Sequence, residues 1–380
     1  MVKKIRTVIA SVLKPVDDSR MYEKIGLSLQ QTNRYDVNII GFASKKNTAL
    51  LNIRQIGLFS FGRKSLKRIW APVIFLRWLI KLRPQLVIVT TFELLWPAVL
   101  YKSIFSDTRV IYDIQENYKR NACANQTFGT FSIQFANLIS FIEKFCQRAV
   151  SLNLLAEPAY LHELNWLSRP SFVILNKYKK VSESNGSTVD GLERAKKIIE
   201  DSYPVIIFSG TISENYGIRD AINLTEHLSN NFSNIVLVVI GHLADAKLLN
   251  LIANSSLVLN LSALQPIPHT DILQLMKLAD FGIVAHRPVE SIRNCFPTRI
   301  YELMAHKLPV LVRNHPLWSE YCLQRDAGIV VDFDNIDATA IARKMKTGHF
   351  YRSGIPNDIY WSSEEKKLIQ AIDKFFDISN

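Results

Sequence analysis

Short apolar runs alternate with helical stretches along almost the whole chain, and few folds accommodate such an alternation. Runs at 5–13, 37–43, 86–90, 109–114, 152–156 and 172–175 read as buried strands, with helical stretches at 20–31, 65–82, 94–104 and 131–150 between them. Strand, helix, strand repeated in this way gives a parallel sheet with helices on both faces. The alternation breaks at Asn176. Residues 177–203 are polar, carry Asn185-Gly186-Ser187 and then Gly191, and hold one helical segment at 192–200. A second series follows, with strands expected at 205–209, 235–241, 256–261, 281–285, 310–313 and 328–331, and a terminal helix at 362–376. The expected fold class is α/β. It has two doubly wound, Rossmann-like domains, 1–176 and 204–360, joined by a linker at 177–203, with 361–380 packing back on the first. Open sheets of this kind bind ligands beyond the carboxyl ends of their strands, so the cleft between the domains is the expected site.

The chain has 380 residues, 48% of them apolar, which suits two domains with full cores. Cys123, Cys146, Cys295 and Cys322 are far apart and form no CxxC pair, so neither a zinc site nor a disulfide frame is expected. The apolar stretch 8–13 is too short for a signal peptide, and no stretch reaches the roughly 18 apolar residues of a spanning helix, so a cytoplasmic protein is expected. Of the net charge of +12, residues 1–180 carry +16 (27 Lys and Arg against 11 Asp and Glu) and the remainder −4. That asymmetry suits an anionic partner for the first domain alone: a membrane surface, a lipid phosphate or a nucleic acid.

In the second domain, NCFPTRIYELMAHKLPVLV (294–312) places Pro297 at the start of a helix, where its missing N–H costs nothing. Arg299 and Glu302, spaced i, i+3, share a helix face. They read either as an exposed ion pair or as a ligand pair. As ligands, the Glu302 carboxylate would accept two hydrogen bonds from a vicinal ribose diol and Arg299 would face a diphosphate. Gly210 ends the strand in FSGT, ahead of a helix beginning near Gly217, which reads equally as a structural turn or a phosphate cradle. His269 precedes a helix in IPHTDILQLM and is either a surface cap neighbour or a cleft residue near the nucleotide or sugar; Thr270 and Asp271 are candidate caps.

In the first domain, Asp17, Asp18 and Arg20 stand at the turn KPVDDSR, where Asp18 or Ser19 can cap the helix. Asp113 and Glu116, three apart in YDIQENY after a strand, can orient an acceptor hydroxyl or steady a charged transition state. Glu93 follows the preceding strand in VTTFELLWP and completes an acidic set. The segment 63–83, RKSLKRIWAPVIFLRWLIKLR, mixes Trp70, Trp78, Phe75 and Leu79 with cations. It reads as an amphipathic domain helix or as one lying on an anionic membrane, bent at Pro72.

The second half resembles the nucleotide-sugar-binding domain of GT-B glycosyltransferases of the group-1, family-4 retaining type. Its members carry P-[ST]-K-x-[FY]-E-x-[ML]-A-x-G-x-P-V. Here Pro297, Thr298, Arg299, Tyr301, Glu302, Met304, Ala305, Pro309 and Val310 fit, with Arg299 for Lys and Lys307 for Gly. FSGTISENYGIRDAI resembles the family's phosphate loop, and Ala279-Asp280 its strand start. The resemblance implies a GT-B architecture, Glu302 as the ribose ligand, and Gly210, Thr211, His269, Asn294, Thr298 and Arg299 on the donor. Asn294 stands eight residues before Glu302, where many members have a second acid. Thr211 and Tyr216 fill slots that are often basic, leaving diphosphate charge to Arg299, backbone N–H groups, Arg293 or Arg219. On the acceptor side it implies roles for Asp17, Asp18 and Arg20, whose P-x-D-D-x-R pattern matches many bacterial members. Gln115 replaces a usual His, and Thr90, Thr91 and Glu93 a usual His-Asp.

The expected activity is transfer of a sugar, with retention, from a nucleotide-diphosphate sugar to a glycan or a polyprenyl-diphosphate-linked acceptor, in surface polysaccharide synthesis at the inner membrane face. Neither metal nor cofactor is expected. Two alternatives stand beside it: a nucleotide-sugar 2-epimerase of the same fold, and a nucleic-acid-binding protein suggested by the basic half alone, for which no accompanying motif is found.

Overall fold

The computed structural model describes residues 4–44, 53–62, 65–124, 129–180, 192–265 and 267–376. The chain divides into two compact units, one within Met1–Lys179 and Trp361–Asn380, the other within Lys180–Tyr360. Asn185-Gly186-Ser187, Gly191, Arg63 and Lys64 lie outside the described residues.

The first unit runs β1 (Ile5–Pro15), α1 (Leu27–Gln31), β2 (Tyr35–Phe42), β3 (Arg54–Phe59), α2 (Ala71–Leu82), β4 (Leu86–Val89), α3 (Phe92–Ile104) and β5 (Arg109–Ile114). It continues with α4 (Tyr118–Ala124), α5 (Ser132–Cys146), β6 (Leu152–Leu155), α6 (Tyr160–Glu163) and β7 (Ser171–Val173). The seven strands pair in parallel in the order β3-β2-β1-β4-β5-β6-β7. Central strands such as β4 are buried along their whole length, which is why they read as unbroken apolar runs. The sequence reading missed β3. Arg-Gln-Ile-Gly-Leu-Phe is an edge strand with only partial burial, so its apolar signal is weak.

Alternate residues of this sheet feed two cores. One, with Val8, Val87 and Val110, is covered by α2 and α3. The other, with Ile9, Ile88 and Ile111, is covered by the π-helical turn Ser19–Gly26, by α1 and by α14 (Ser362–Asp373). Trp361 at the head of α14 donates from Nε1 to Ser28 Oγ at 2.9 Å. Tyr35 donates to Asp373 Oδ1 at 2.5 Å. Glu364, fully buried, pairs with Lys177 at 2.8 Å. Pro72 sits in the first turn of α2, after a 3-10 turn at Leu66–Trp70, so it starts the helix rather than bending it.

The second unit runs α7 (Leu192–Glu200), β8 (Val205–Ile212), α8 (Ile218–Leu228), β9 (Val236–Leu243), α9 (Leu248–Ala253), β10 (Val258–Ala263) and α10 (His269–Met276). Then come β11 (Phe281–Val284), α11 (Thr298–Ala305), β12 (Val310–Arg313), α12 (Pro316–Gln324), β13 (Gly328–Val331) and α13 (Ala338–Thr347). Its parallel order is β10-β9-β8-β11-β12-β13. Strand order reverses between β8 and β11, and a crevice forms at the carboxyl ends of such a pair.

Candidate functional site

At that switch point the second unit holds a cavity of about 270 Å³. β8 ends in it with Ser209, Gly210 and Thr211, and His286, two residues beyond the end of β11, faces it. The start of α11 supplies Thr298 and Arg299. Two glycines make the geometry possible. Gly210 has φ +107°, and a Cβ there would lie 2.7 Å from Nη2 of Arg299, so any other residue would displace the cation. Gly217, with φ +81°, begins α8, and its missing Cβ leaves room for the Ala285 carbonyl 2.0 Å from where that atom would stand.

Pro297 occupies the N-cap position of α11, with extended φ/ψ. One turn on, Glu302 is buried, and each of its oxygens has a partner. Arg299 Nη1 bonds Oε2 and His269 Nε2 bonds Oε1. His269 is the first residue of α10, so two helix starts converge on one carboxylate. The pair read as either exposed or functional is therefore a half-buried cluster beside the cavity. Burial lowers the Arg299 guanidinium to about 10, which leaves it charged at neutral pH. His286 is pushed down to about 3, by burial first and then by Arg299 and Arg313, and is neutral at working pH.

His286 and Tyr216 were not singled out as donor ligands in the sequence. Their rings lie 4.6 Å apart in the cavity wall. Tyr216 belongs to the loop that resembles the family's phosphate loop, whereas His286 stands in no motif and is marked only by the β8–β11 switch point. Behind them, Asp220 in the first turn of α8 pairs with Arg287 at 2.7 Å and also with Arg313, tying α8 to the ends of β11 and β12. Asn294 lies between two cavity-lining residues, Ile292 and Cys295. Arg219 pairs with Glu214 at 2.7 Å, and Arg293 is exposed.

The first-unit candidates come out differently. Arg20 is 3% exposed and Asp113 is fully buried. Arg20 donates to both Asp113 oxygens, with Nη2 to Oδ1 at 2.7 Å, and to the Ile174 carbonyl at 2.9 Å. Gln115 adds a bond to Asp113 Oδ2 at 2.8 Å. This pair fastens the first helical turn to β5 and the end of β7, and neither member is open to an acceptor. Asp18 is the N-cap, accepting from the amides of Arg20 and Met21 at 3.0 and 3.1 Å. Asp17 accepts from Ser44 at 2.6 Å and Glu116 from Asn121 at 3.1 Å; both are half-buried and keep an exposed edge. Glu93 pairs with Arg68, and burial raises its pKa against the pull of that cation. Asp113 and Arg20, expected as ligands, are here buried against each other. The accessible acids are Asp17 and Glu116, with Glu93 partly so.

Among the described residues no helix is long and apolar enough to cross a membrane, and no group of three or more His, Cys, Asp or Glu is placed to hold a metal ion.

Residues 190–347 match the family model described as glycosyl transferases group 1. No curated protein sequence matches the chain significantly. Among solved structures, sucrose-phosphate synthase from Thermosynechococcus elongatus is 15% identical with a TM-score of 0.71, covering 99% of this chain and 100% of its own. Anabaena HepE in complex with UDP and glucose is 14% identical with a TM-score of 0.64, over 97% and 100%. A Listeria monocytogenes protein assigned as a UDP-N-acetylglucosamine 2-epimerase is 12% identical with a TM-score of 0.64, over 100% and 98%.

Proposed function

We propose that the chain, which takes the GT-B fold and whose residues 190–347 match the group 1 glycosyl transferase model, is a glycosyltransferase that moves a sugar from a nucleotide-diphosphate donor to a glycan or polyprenyl-diphosphate-linked acceptor, with retention, in surface polysaccharide synthesis. The observation carrying the donor side is the convergence of Arg299, Glu302 and His269 beside Gly210. Each Glu302 oxygen keeps a further lone pair, and these accept the two ribose hydroxyls. Arg299 Nη2, lying against Gly210, meets the diphosphate together with the N-terminus of α8. Neutral His286 donates from one ring nitrogen without competing for phosphate charge.

The bond from the anomeric carbon to the leaving phosphate oxygen breaks, and one to the acceptor oxygen forms on the same face. The acceptor proton passes to the departing phosphate, so no side chain need serve as a strong base. That suits a first unit whose Asp113 is sealed by Arg20. Asp17 and Glu116, with their open edges, orient the acceptor. The reading calls for no metal and no cofactor beyond the nucleotide sugar, and for work at the inner face of a membrane.

The test is to incubate the full chain with UDP-, GDP- and ADP-sugars, with and without a polyprenyl-diphosphate-linked sugar. Release of one nucleoside diphosphate with matched labelling of the acceptor is the expected result. The likeness to the epimerase motivates a second reading. Epimer formation from a UDP-sugar with no acceptor present would establish it in place of transfer.

A further inference from the structure

One side of the first unit leaves large apolar side chains in solvent in a pattern that core packing does not require. In α5 the inward stripe is Ala136, Ile139, Glu143 and Cys146, all buried. The opposite stripe is apolar as well. Leu138 is 51% exposed, Phe141 66% and Phe145 65%, at i, i+3 and i+7, and the two phenylalanine rings stack 6.2 Å apart. A surface helix ordinarily turns charge outward there. The neighbouring helices continue the pattern. α3 packs against both α2 and α5, so the three form one layer over a single face of the sheet. Trp70, ahead of α2, is 66% exposed, and Ile80 and Ile104 also face out. The helical layer on the other face of the sheet, α1 and α14 with the π-helical turn, exposes no large apolar side chain among the described residues.

Charge on this layer is of one sign. Arg77, Lys81 and Lys144 are exposed. α2 contains no acid, Glu93 is held by Arg68, and Glu143 is buried. A second copy of the chain would present the same cations to these, and like charges oppose such a contact. Aromatic side chains among lysines and arginines, with no exposed carboxylate within α2, α3 or α5, match a lipid surface with anionic headgroups.

We propose that the outer face of the α2–α3–α5 layer docks on an anionic bilayer, with Trp70, Phe141 and Phe145 entering the headgroup region and Arg77, Lys81 and Lys144 held over its phosphates. The proposal rests on the reading of the first unit as the acceptor side, and it extends the membrane contact beyond 63–83 to α5. Trp78, counted toward that surface in the sequence, instead packs against the core.

Sedimentation of the full chain with phosphatidylcholine vesicles, with and without phosphatidylglycerol, tests it. Wild type should bind only the phosphatidylglycerol vesicles, and less well as salt is raised. Phe141→Ser with Phe145→Ser, and separately Arg77→Glu with Lys81→Glu, should each weaken binding at least about tenfold. Both variants should keep the wild-type melting shift with nucleoside diphosphate, which also shows that they fold. Unchanged vesicle binding in either variant, or none in wild type, overturns the proposal. So does a wild-type dimer that the phenylalanine variant converts to monomer. Loss of nucleotide binding by wild type with vesicle binding intact would count against the glycosyltransferase reading instead.

Discussion

Glu302 satisfies Arg299 and His269 with one carboxylate, and the three were legible to different degrees. Arg299 and Glu302 share a helix face by spacing, so their contact was open to sequence reasoning. His269 is 33 residues away and reaches Glu302 only because α10 and α11 start at the same end of the sheet. Burial hid the roles in the first unit. Arg20 and Asp113 are 93 residues apart, and nothing local to either marks a sealed pair. Glu143 was hidden for the same reason. It is 2% exposed, accepts a hydrogen bond from Tyr112 at 2.8 Å, and is raised by burial to about 7. Its folded pKa lies above its unfolded one, so its stabilising share is fully present below about pH 4.5 and is lost as pH rises through about 7. Relative to Glu143→Gln, wild type should therefore lose on the order of 3 kcal/mol of unfolding free energy across that window. Denaturant unfolding at several pH values measures this, and parallel pH curves for the two proteins would refute it.

At the scale of elements, α11 ends in a Schellman motif. Lys307 N–H bonds the Met304 carbonyl and Leu308 N–H the Leu303 carbonyl, both at 2.9 Å. Lys307 itself has φ +58°. The slot where the resembling family has glycine is thus a left-handed position, and this chain accepts the strain of a side chain there. Lys307→Gly should raise stability by up to about 1 kcal/mol, seen as a higher melting temperature with nucleotide binding unaltered. A lower melting temperature would show that Lys307 contributes more than its conformation costs. Strands buried on both faces, such as β4 and β12, were legible almost to the residue, because continuous burial writes itself as continuous apolarity. The edge strand β3 was not. Nor was the outer stripe of α5 legible as a surface, since an apolar helix gives the same periodic signal whichever side meets the core.

On the scale of the whole molecule, the β–α alternation is enough for two parallel sheets, because parallel strands need crossovers and the apolar runs mark every strand but β3. It carries less information about the sites. In the second unit the switch between β8 and β11 brings motif residues such as Tyr216 and an unmarked one, His286, to one cavity. In the first unit the acidic motifs are largely consumed in holding the fold. The central claim is that the second unit binds a nucleotide-diphosphate sugar through Glu302. Calorimetric titration of UDP, GDP and ADP into wild type and Glu302→Gln tests it most directly. One of the three should bind wild type, and the variant should lose at least about tenfold in affinity, roughly 1.4 kcal/mol, while its unliganded melting temperature stays close to wild type. Equal affinity of that nucleotide for both proteins would contradict the assignment of Glu302.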